Sequence, residues 1–242
     1  MDSRMDRQLQ LGLVLPRQAD SLPPMPVLAA RAGWQALWVP AGAAWPGNVG
    51  AAGMRIGWIL EQGEVSALAP ISDVWIRDGP PMSVVDAVAG IAPHHVSVDA
   101  PDAGAAAVIR SAGAMPVFGP APLHALVELL RNATGPSAVC LPASPGRTLA
   151  EAHARLSSDP GLRAEAEAAP CLVGTLEDCQ QTVAALYAAG MRELRLRLPA
   201  TPDIPDVIAQ MSTLRGEALR GLDAGSPRSP APAAPTSWGG RP

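Results

Sequence analysis

The chain has 242 residues, of which 48% are hydrophobic and 17% charged, and its net charge is −4 at neutral pH. This length is enough for one (β/α) barrel, and the small negative charge argues against binding to nucleic acid. No apolar run reaches the roughly 18 residues that cross a membrane. The polar start MDSRMDRQLQ has no signal-peptide core. We therefore expect a cytoplasmic protein that acts on a small molecule, without nucleic-acid or membrane partners.

All 18 basic residues are arginines, because the sequence contains no lysine. A P-loop needs a lysine for its phosphates, a Schiff-base aldolase needs one as its nucleophile, and a pyridoxal-phosphate enzyme needs one as its anchor. These classes are excluded. Cys140, Cys171 and Cys179 lack the close spacing of metal ligands. We expect three reduced thiols and no metal site.

Predicted strands and helices alternate along the chain. The strands are Leu11–Leu15, Ala36–Val39, Arg55–Leu60, Asp73–Arg77, His95–Val98, Met115–Phe118, Ser137–Leu141 and Glu193–Leu198. The helices are Met25–Ala32, a short piece near Val65–Ala69, Ser83–Ile91, Asp102–Ser111, Pro122–Asn132, Leu149–Leu156, Leu176–Ala189 and Pro205–Leu219. Gly33, Gly113 and Gly190 each follow a helix, as left-handed C-cap residues do.

This alternation predicts an α/β fold, and eight strands favour a compact, closed (β/α)8 barrel of the TIM type. Two weak units, Ala41–Gly53 and Glu61–Ser72, leave an incomplete barrel or an open doubly wound sheet as alternatives. We expect residues 1–222 to form this single domain. Residues 223–242 are rich in Pro, Ala, Ser and Gly and are predicted to be a disordered tail.

Candidate site residues follow from the rule that barrel sites form at the C-terminal ends of the strands. The ionisable residues directly after predicted strands are Arg17, Glu61, Asp78 and Asp99. Each could bind a substrate or move a proton, although loop charges and helix caps use the same residue types. His124 follows Gly119 at the start of a helix, where an anionic ligand would be favoured.

Other polar motifs are weaker candidates. His94 and His95 precede their strand and are expected at the opposite end of the barrel, which usually serves stability. Gly174 and Thr175 precede a helix, where a glycine can help to cradle a phosphate. Thr175 with Asp178 matches a capping box, and the acidic first turn would repel a phosphate, so the structural role is favoured. The tryptophans between Trp34 and Trp75 are predicted to serve barrel packing rather than a ligand cage, and an interface role stays open.

Five segments carry a family resemblance. They are Leu11–Pro16 (LGLVLP), Ala29–Pro40 (AARAGWQALWVP), Met115–Arg131, Val139–Pro160 and Cys171–Leu198, the last with its GTLED and AAGMRELRLRL motifs. Their amino-acid sequences resemble the luciferase-like monooxygenase family, whose members are flavin- or deazaflavin-dependent oxidoreductases built on a TIM barrel. Where that family commonly has an acidic residue or a histidine near the flavin, this chain has Ala41 and Gly42.

The resemblance implies an oxidoreductase or monooxygenase that binds FMN or a deazaflavin at the strand ends. The residues expected to line the cofactor site are Arg17, Glu61, Asp78, Gly119, His124, Gly174 and Thr175, with Arg17 facing an anionic group. Two alternatives remain open. One is a non-catalytic relative with a binding or assembly role, as a homodimer or paired with a homologous chain. The other is an unrelated (β/α) barrel isomerase or lyase acting on a phosphorylated metabolite.

Overall fold

The computed structural model describes residues 9–15, 25–41, 54–61, 73–77, 95–169, 172–199, 201 and 203–225. The strands of this part are β1 (Gln10–Val14), β2 (Ala36–Pro40), β3 (Arg55–Glu61), β4 (Asp73–Arg77), β5 (His95–Asp99), β6 (Met115–Phe118), β7 (Ser137–Gly146), β8 (Leu172–Thr175) and β9 (Met191–Arg197). The helices are α1 (Met25–Arg31), α2 (Ala103–Ser111), α3 (Leu123–Asn132), α4 (Leu149–Leu156), α5 (Pro160–Ala168), α6 (Leu176–Ala188) and α7 (Ile204–Gly225).

Eight of these strands close into a parallel ring in the order β1-β2-β3-β4-β5-β6-β7-β9. The ring is completed on one side by β1 pairing with β9, where Gly12 lies opposite Arg195. It is completed on the other side by β6 pairing with β7, where Val117 lies opposite Ala138. The predicted (β/α)8 barrel of the TIM type is confirmed, and the open sheet is excluded because both edges of an open sheet would be unpaired.

The ninth strand, β8, lies outside the ring. It pairs with the far end of β7, so that Leu172–Thr175 runs beside Ala143–Gly146. The sequence predicts no strand here and ends β7 at Leu141, because proline is unusual inside a sheet. That prediction is wrong: β7 continues through Pro142 and Pro145, pairing first with β9 and then with β8.

Strand side chains alternate between the helices and the barrel interior, as the pleat requires. In β4, Val74 and Ile76 belong to the main hydrophobic core between barrel and helices, whereas Trp75 belongs to a smaller cluster inside the ring. Both faces are therefore buried, as in parallel sheets generally. The interior face is the unusual one, because several of its residues are charged.

Most of the predicted helices that fall in the described residues begin and end within two residues of the observed ones. The exceptions are α7, which runs to Gly225 rather than Leu219, and α5, which the sequence analysis missed. Asp159 caps α5 by accepting a hydrogen bond of 2.9 Å from the Leu162 N–H, and proline occupies the first helical turn. That Asp-Pro pair is an ordinary helix-start signal.

Gly33 and Gly113 adopt φ values of +78° and +80°, as their predicted C-cap role requires. The predicted helices Ser83–Ile91 and Val65–Ala69 lie outside the described residues, as does the chain from residue 226 onward. Within the described residues, no helix has the length and apolar character needed to cross a membrane.

Candidate functional site in the barrel interior

An ion-pair network occupies the amino-terminal end of the barrel interior. Arg55 places Nη1 3.1 Å from Asp73 Oδ2 and Nη2 3.5 Å from Glu193 Oε2. Its Nη2 also donates a hydrogen bond of 2.7 Å to Gln10 Oε1. Asp73 and Glu193 are buried. Buried carboxylates need such partners, because their desolvation is otherwise costly.

Arg195 lies between two tryptophan rings farther along the interior. Its Cζ is 3.7 Å from the ring centroid of Trp38 and 4.7 Å from that of Trp75. The two rings meet edge to face, with centroids 5.9 Å apart and an interplanar angle of 81°. Contacts between a guanidinium and aromatic rings are attractive, and more so when solvent is excluded. We call Trp38, Arg195 and Trp75 the interior stack, and all three are buried.

The hydrogen bonds of Arg195 leave one of its nitrogens unused. Its Nε donates to Glu193 Oε1 at 3.0 Å and its Nη2 donates to Ser97 Oγ at 2.7 Å. Glu193 Oε1 also accepts from Trp38 Nε1 at 2.9 Å. No acceptor in the described part of the chain lies within hydrogen-bond distance of Nη1, although that atom is buried. A buried donor left without an acceptor costs about 1–3 kcal/mol.

Arg77 and Asp99 end their strands at the carboxyl end of the barrel, next to the interior stack. Asp99 Oδ1 accepts a hydrogen bond of 2.7 Å from Trp75 Nε1. Arg77 lies over the same indole, with Cζ 5.7 Å from the ring centroid. Its Nε is 3.7 Å from Asp99 Oδ2, which is too long for a hydrogen bond, and this buried Nε has no acceptor among the described residues. The side chains of Arg77 and Asp99 are 38% and 27% exposed, so solvent reaches this end.

Burial and charge move three pKa values in this interior, and burial raises that of Asp73 despite the nearby Arg55. Burial alone would raise the pKa of Glu193, but the charges of Arg195 and Arg55 and the hydrogen bonds to the carboxylate outweigh it, so that pKa is lowered. Burial raises the pKa of the Cys140 thiol to about 12, despite nearby arginines. Glu193 is thus held as a carboxylate and Cys140 as a neutral thiol at neutral pH.

Three of the sequence-predicted site residues lie at the carboxyl end of the ring. Glu61 is the last residue of β3 and lies opposite Arg77 of β4. Gly119 directly follows β6 and is exposed, and His124 is an exposed residue in the first turn of α3. Glu61 ends β3 and Gly119 follows β6, and these strands are three positions apart in the ring, so the two residues border this end from different sides.

Gly174 and Thr175 lie elsewhere, at the end of β8 beside the extension of β7. The predicted capping box is present: Thr175 Oγ1 accepts from the Asp178 N–H at 3.3 Å, and Asp178 Oδ2 accepts from the Thr175 N–H at 3.2 Å. Thr175 Oγ1 also donates to Asp178 Oδ2 at 2.6 Å. The N–H and O–H groups of Thr175 are therefore both used by the Asp178 carboxylate, which favours the structural role of this motif. Arg17 and Asp78 lie outside the described residues.

The sequence predicted barrel packing for Trp38 and Trp75, but it did not identify Arg195 between them, because the rule for barrel sites selects residues that follow strands and Arg195 lies inside one. A signal was present in MRELRLR, where Glu193, Arg195 and Arg197 alternate with leucines. Such alternation marks a strand with two different faces. It does not by itself say that the charged face points into the barrel, since a parallel strand is expected to be apolar on both faces.

No protein-family model and no curated protein sequence matches the chain. Solved structures do. An F420-dependent secondary alcohol dehydrogenase in complex with an F420-acetone adduct is 14% identical, with a TM-score of 0.60 over 87% of this chain and 99% of that one. A type II Baeyer–Villiger monooxygenase, the oxygenating constituent of 3,6-diketocamphane monooxygenase from Pseudomonas putida in complex with FMN, is 12% identical, with a TM-score of 0.57 over 86% and 98%.

A thiamine phosphate pyrophosphorylase from Pyrococcus furiosus is also similar, at 12% identity and a TM-score of 0.52 over 89% of this chain and 99% of that one. The likeness is one of fold. F420- and FMN-dependent enzymes share this fold with a thiamine phosphate pyrophosphorylase, so the fold alone does not decide between such functions.

The described residues at the carboxyl end of the barrel offer a guanidinium donor and an open border. Arg77 offers a partly exposed guanidinium there, and guanidinium planes stack on flat π-systems. A Cβ added to Gly119 would meet no atom within 4 Å, so the border beside β6 is open. Metal chemistry has no such support: no group of three or more His, Cys, Asp or Glu side chains in the described residues is placed to hold an ion.

Proposed function

We propose that the protein is a flavin- or deazaflavin-dependent oxidoreductase, whose cofactor lies at the carboxyl end of the barrel and whose substrate is a small molecule. The observation that carries the proposal is the partly exposed guanidinium of Arg77 over Trp75 at the carboxyl end of the barrel, where two buried guanidinium N–H donors have no acceptor among the described residues. The fold shared with an F420-dependent dehydrogenase and an FMN-dependent monooxygenase supports it, as does the resemblance of five segments to the luciferase-like family.

Arg77, Glu61 and Gly119 would hold the flavin ring, which supplies hydride chemistry or, as FMN with oxygen, monooxygenase chemistry. The guanidinium of Arg77 favours the anionic character that a flavin gains on reduction, and the open border at Gly119 gives the ring room. Asp99 holds the Trp75 indole in place from the same side. The capping box favours a structural role for Gly174 and Thr175, so Arg17 is the residue that the sequence offers for the phosphate.

A titration tests this proposal. The purified chain is titrated with FMN and with the deazaflavin F420, and binding is followed by quenching of cofactor fluorescence. We expect saturable binding of one of them in the micromolar range, weakened about tenfold or more by Arg77→Gln, since a lost contact to a charged donor costs about 1.5–3 kcal/mol. Arg163→Gln is the matched control, because Arg163 on α5 makes an exposed ion pair with Glu167 away from the barrel interior.

Failure of both cofactors to bind would remove the proposal. It would leave a second candidate, a barrel that acts on an anionic metabolite without a flavin. The unmet guanidinium nitrogens favour that candidate among the non-flavin functions, since they suit a carboxylate or phosphate as well as a cofactor. A non-catalytic binding protein would be the remaining reading if neither cofactors nor small anions bind.

A further inference from the structure

We propose that the barrel interior contains a subsite for a small carboxylate, formed by Arg195 Nη1 and Arg77 Nε on the Trp75 indole. As a substrate subsite, it rests on the proposed function; as an anion site, it requires no flavin. Both nitrogens are buried, both belong to guanidinium groups, and neither has an acceptor among the described residues. Both groups lie against the same ring, at 4.7 Å and 5.7 Å from its centroid.

The other interior groups are already satisfied. The Glu193 carboxylate is shared by Arg195, Arg55 and Trp38 Nε1. Asp99 accepts from Trp75 and stays 3.7 Å from Arg77 Nε. The two remaining donors, Arg195 Nη1 and Arg77 Nε, therefore form no hydrogen bond with these carboxylates. Hydrogen bonds between charged partners are roughly twice as strong as neutral ones, so an oxyanion is the acceptor that benefits most.

The residues around the two donors favour a compact carboxylate over a larger anion. Trp38 and Trp75 are bulky, buried rings on which the fully buried Arg195 lies, so the walls next to Nη1 are flat and apolar. Two donors from separate guanidinium groups suit the two oxygens of a carboxylate. The route from solvent passes Arg77 and Asp99, whose side chains are 38% and 27% exposed. The rest of the substrate would then extend toward the carboxyl end, where the cofactor is proposed.

Calorimetric titration of the full chain with sodium acetate, without cofactor, tests the subsite. Sodium chloride at equal ionic strength controls for screening, and acetamide is the neutral analogue of the same shape. We expect weak but saturable acetate binding, because a ligand of this size can gain only a few kcal/mol. Acetamide should bind at least about tenfold more weakly, as the charge-assisted bonds are lost.

Two variants locate the binding. Arg77→Gln should weaken acetate at least about tenfold, whereas the exposed control Arg163→Gln should leave it unchanged. Arg195→Met alone would leave Glu193 without a main partner, so it is combined with Glu193→Gln, whose amide oxygen still accepts from Trp38. This double variant should not bind acetate. If it does not fold, Arg77→Gln decides alone.

The subsite would be overturned if acetate had the same effect as chloride, or if it bound to Arg77→Gln as tightly as to the original chain. Either result would mean that water satisfies these donors. The flavin titration is separate. Acetate binding without flavin binding would keep the anion site and remove the proposed function, and flavin binding without acetate binding would do the reverse.

Discussion

The indole of Trp38 lies directly on the backbone of Gly57. The two residues are opposite each other in the β2–β3 pair, and a Cβ added to Gly57 would be 2.3 Å from Trp38 Cζ3. On the other flanking strand, a Cβ at Gly12 would be 3.1 Å from Trp38 Nε1. Glycines on both neighbours of β2 thus make room for the ring on which Arg195 stacks.

Gly57→Ala should therefore destabilise the protein. A Cβ at 2.3 Å cannot be accommodated without moving Trp38, and overpacking of this kind costs about 1–3 kcal/mol or more. Urea unfolding measures the change. Gly119→Ala is the control, because its Cβ would meet nothing within 4 Å, and it should change the free energy of unfolding by less than about 0.5 kcal/mol. Equal effects of the two substitutions would contradict the packing described.

Arg155 should be important for stability outside the barrel. It is only 6% exposed and lies on α4, where it pairs with Glu151 of the same helix at 2.6 Å. It also bonds to Asp203, the residue before α7, at 2.5 Å and to the carbonyl of Pro145 in β7. We expect Arg155→Met to lower the free energy of unfolding by about 2–3 kcal/mol, because a buried carbonyl loses its donor and two carboxylates lose their partner.

The comparison for Arg155 is Arg163→Met. Arg163 and Glu167 are 59% and 62% exposed, and such surface pairs contribute little, about 0–1 kcal/mol. If the two variants had the same free energy of unfolding, the contacts of Arg155 would contribute no more to stability than a surface ion pair does.

The interior ion pairs predict a loss of stability in acid. The folded-state pKa of Glu193 is lowered, so its contribution is fully present above its unfolded pKa, about 4.3, and is lost as the pH falls through the lower folded value. Asp73 acts in the opposite direction, because burial raises its pKa. We expect the free energy of unfolding, measured in urea between about pH 3 and pH 6, to fall more steeply with decreasing pH for the original chain than for Arg195→Met/Glu193→Gln. Parallel curves would show that Glu193 is not held as described.

Cys140 and Cys179 should resist thiol reagents in the folded protein. Both are buried and free, and burial raises the pKa of each to about 12. The thiolate is the reactive form, so little of it is available at pH 8. Mass spectrometry after N-ethylmaleimide treatment should find both unmodified until denaturant is added. Rapid modification of Cys140 in the native protein would mean that the barrel interior opens readily.

The fold was largely predictable from the sequence because each strand is a short apolar run and because glycines mark the ends of several helices that precede strands. Asp73–Arg77 and Met115–Phe118 were predicted with the bounds observed for β4 and β6. The extension of β7 was not, because Pro142 and Pro145 normally argue against a strand. Their tolerance depends on the partners β8 and β9, which only the three-dimensional structure supplies.

The site was less predictable than the fold. Position after a strand identified Glu61 and Asp99 at the carboxyl end, because that rule depends only on chain order. Arg195 is inside a strand, and its importance comes from Trp38 and Trp75, which are more than a hundred residues away in sequence. Contacts of that separation cannot be read from local pattern.

The most direct test of the account is whether flavin affinity depends on the open border of the barrel at Gly119. Gly119→Leu should weaken FMN or F420 binding at least about tenfold by filling that space, while Gly216→Leu on α7, also with nothing within 4 Å of its Cβ, should leave binding unchanged. Equal cofactor affinity in both variants and the original chain would contradict a cofactor at this end of the barrel.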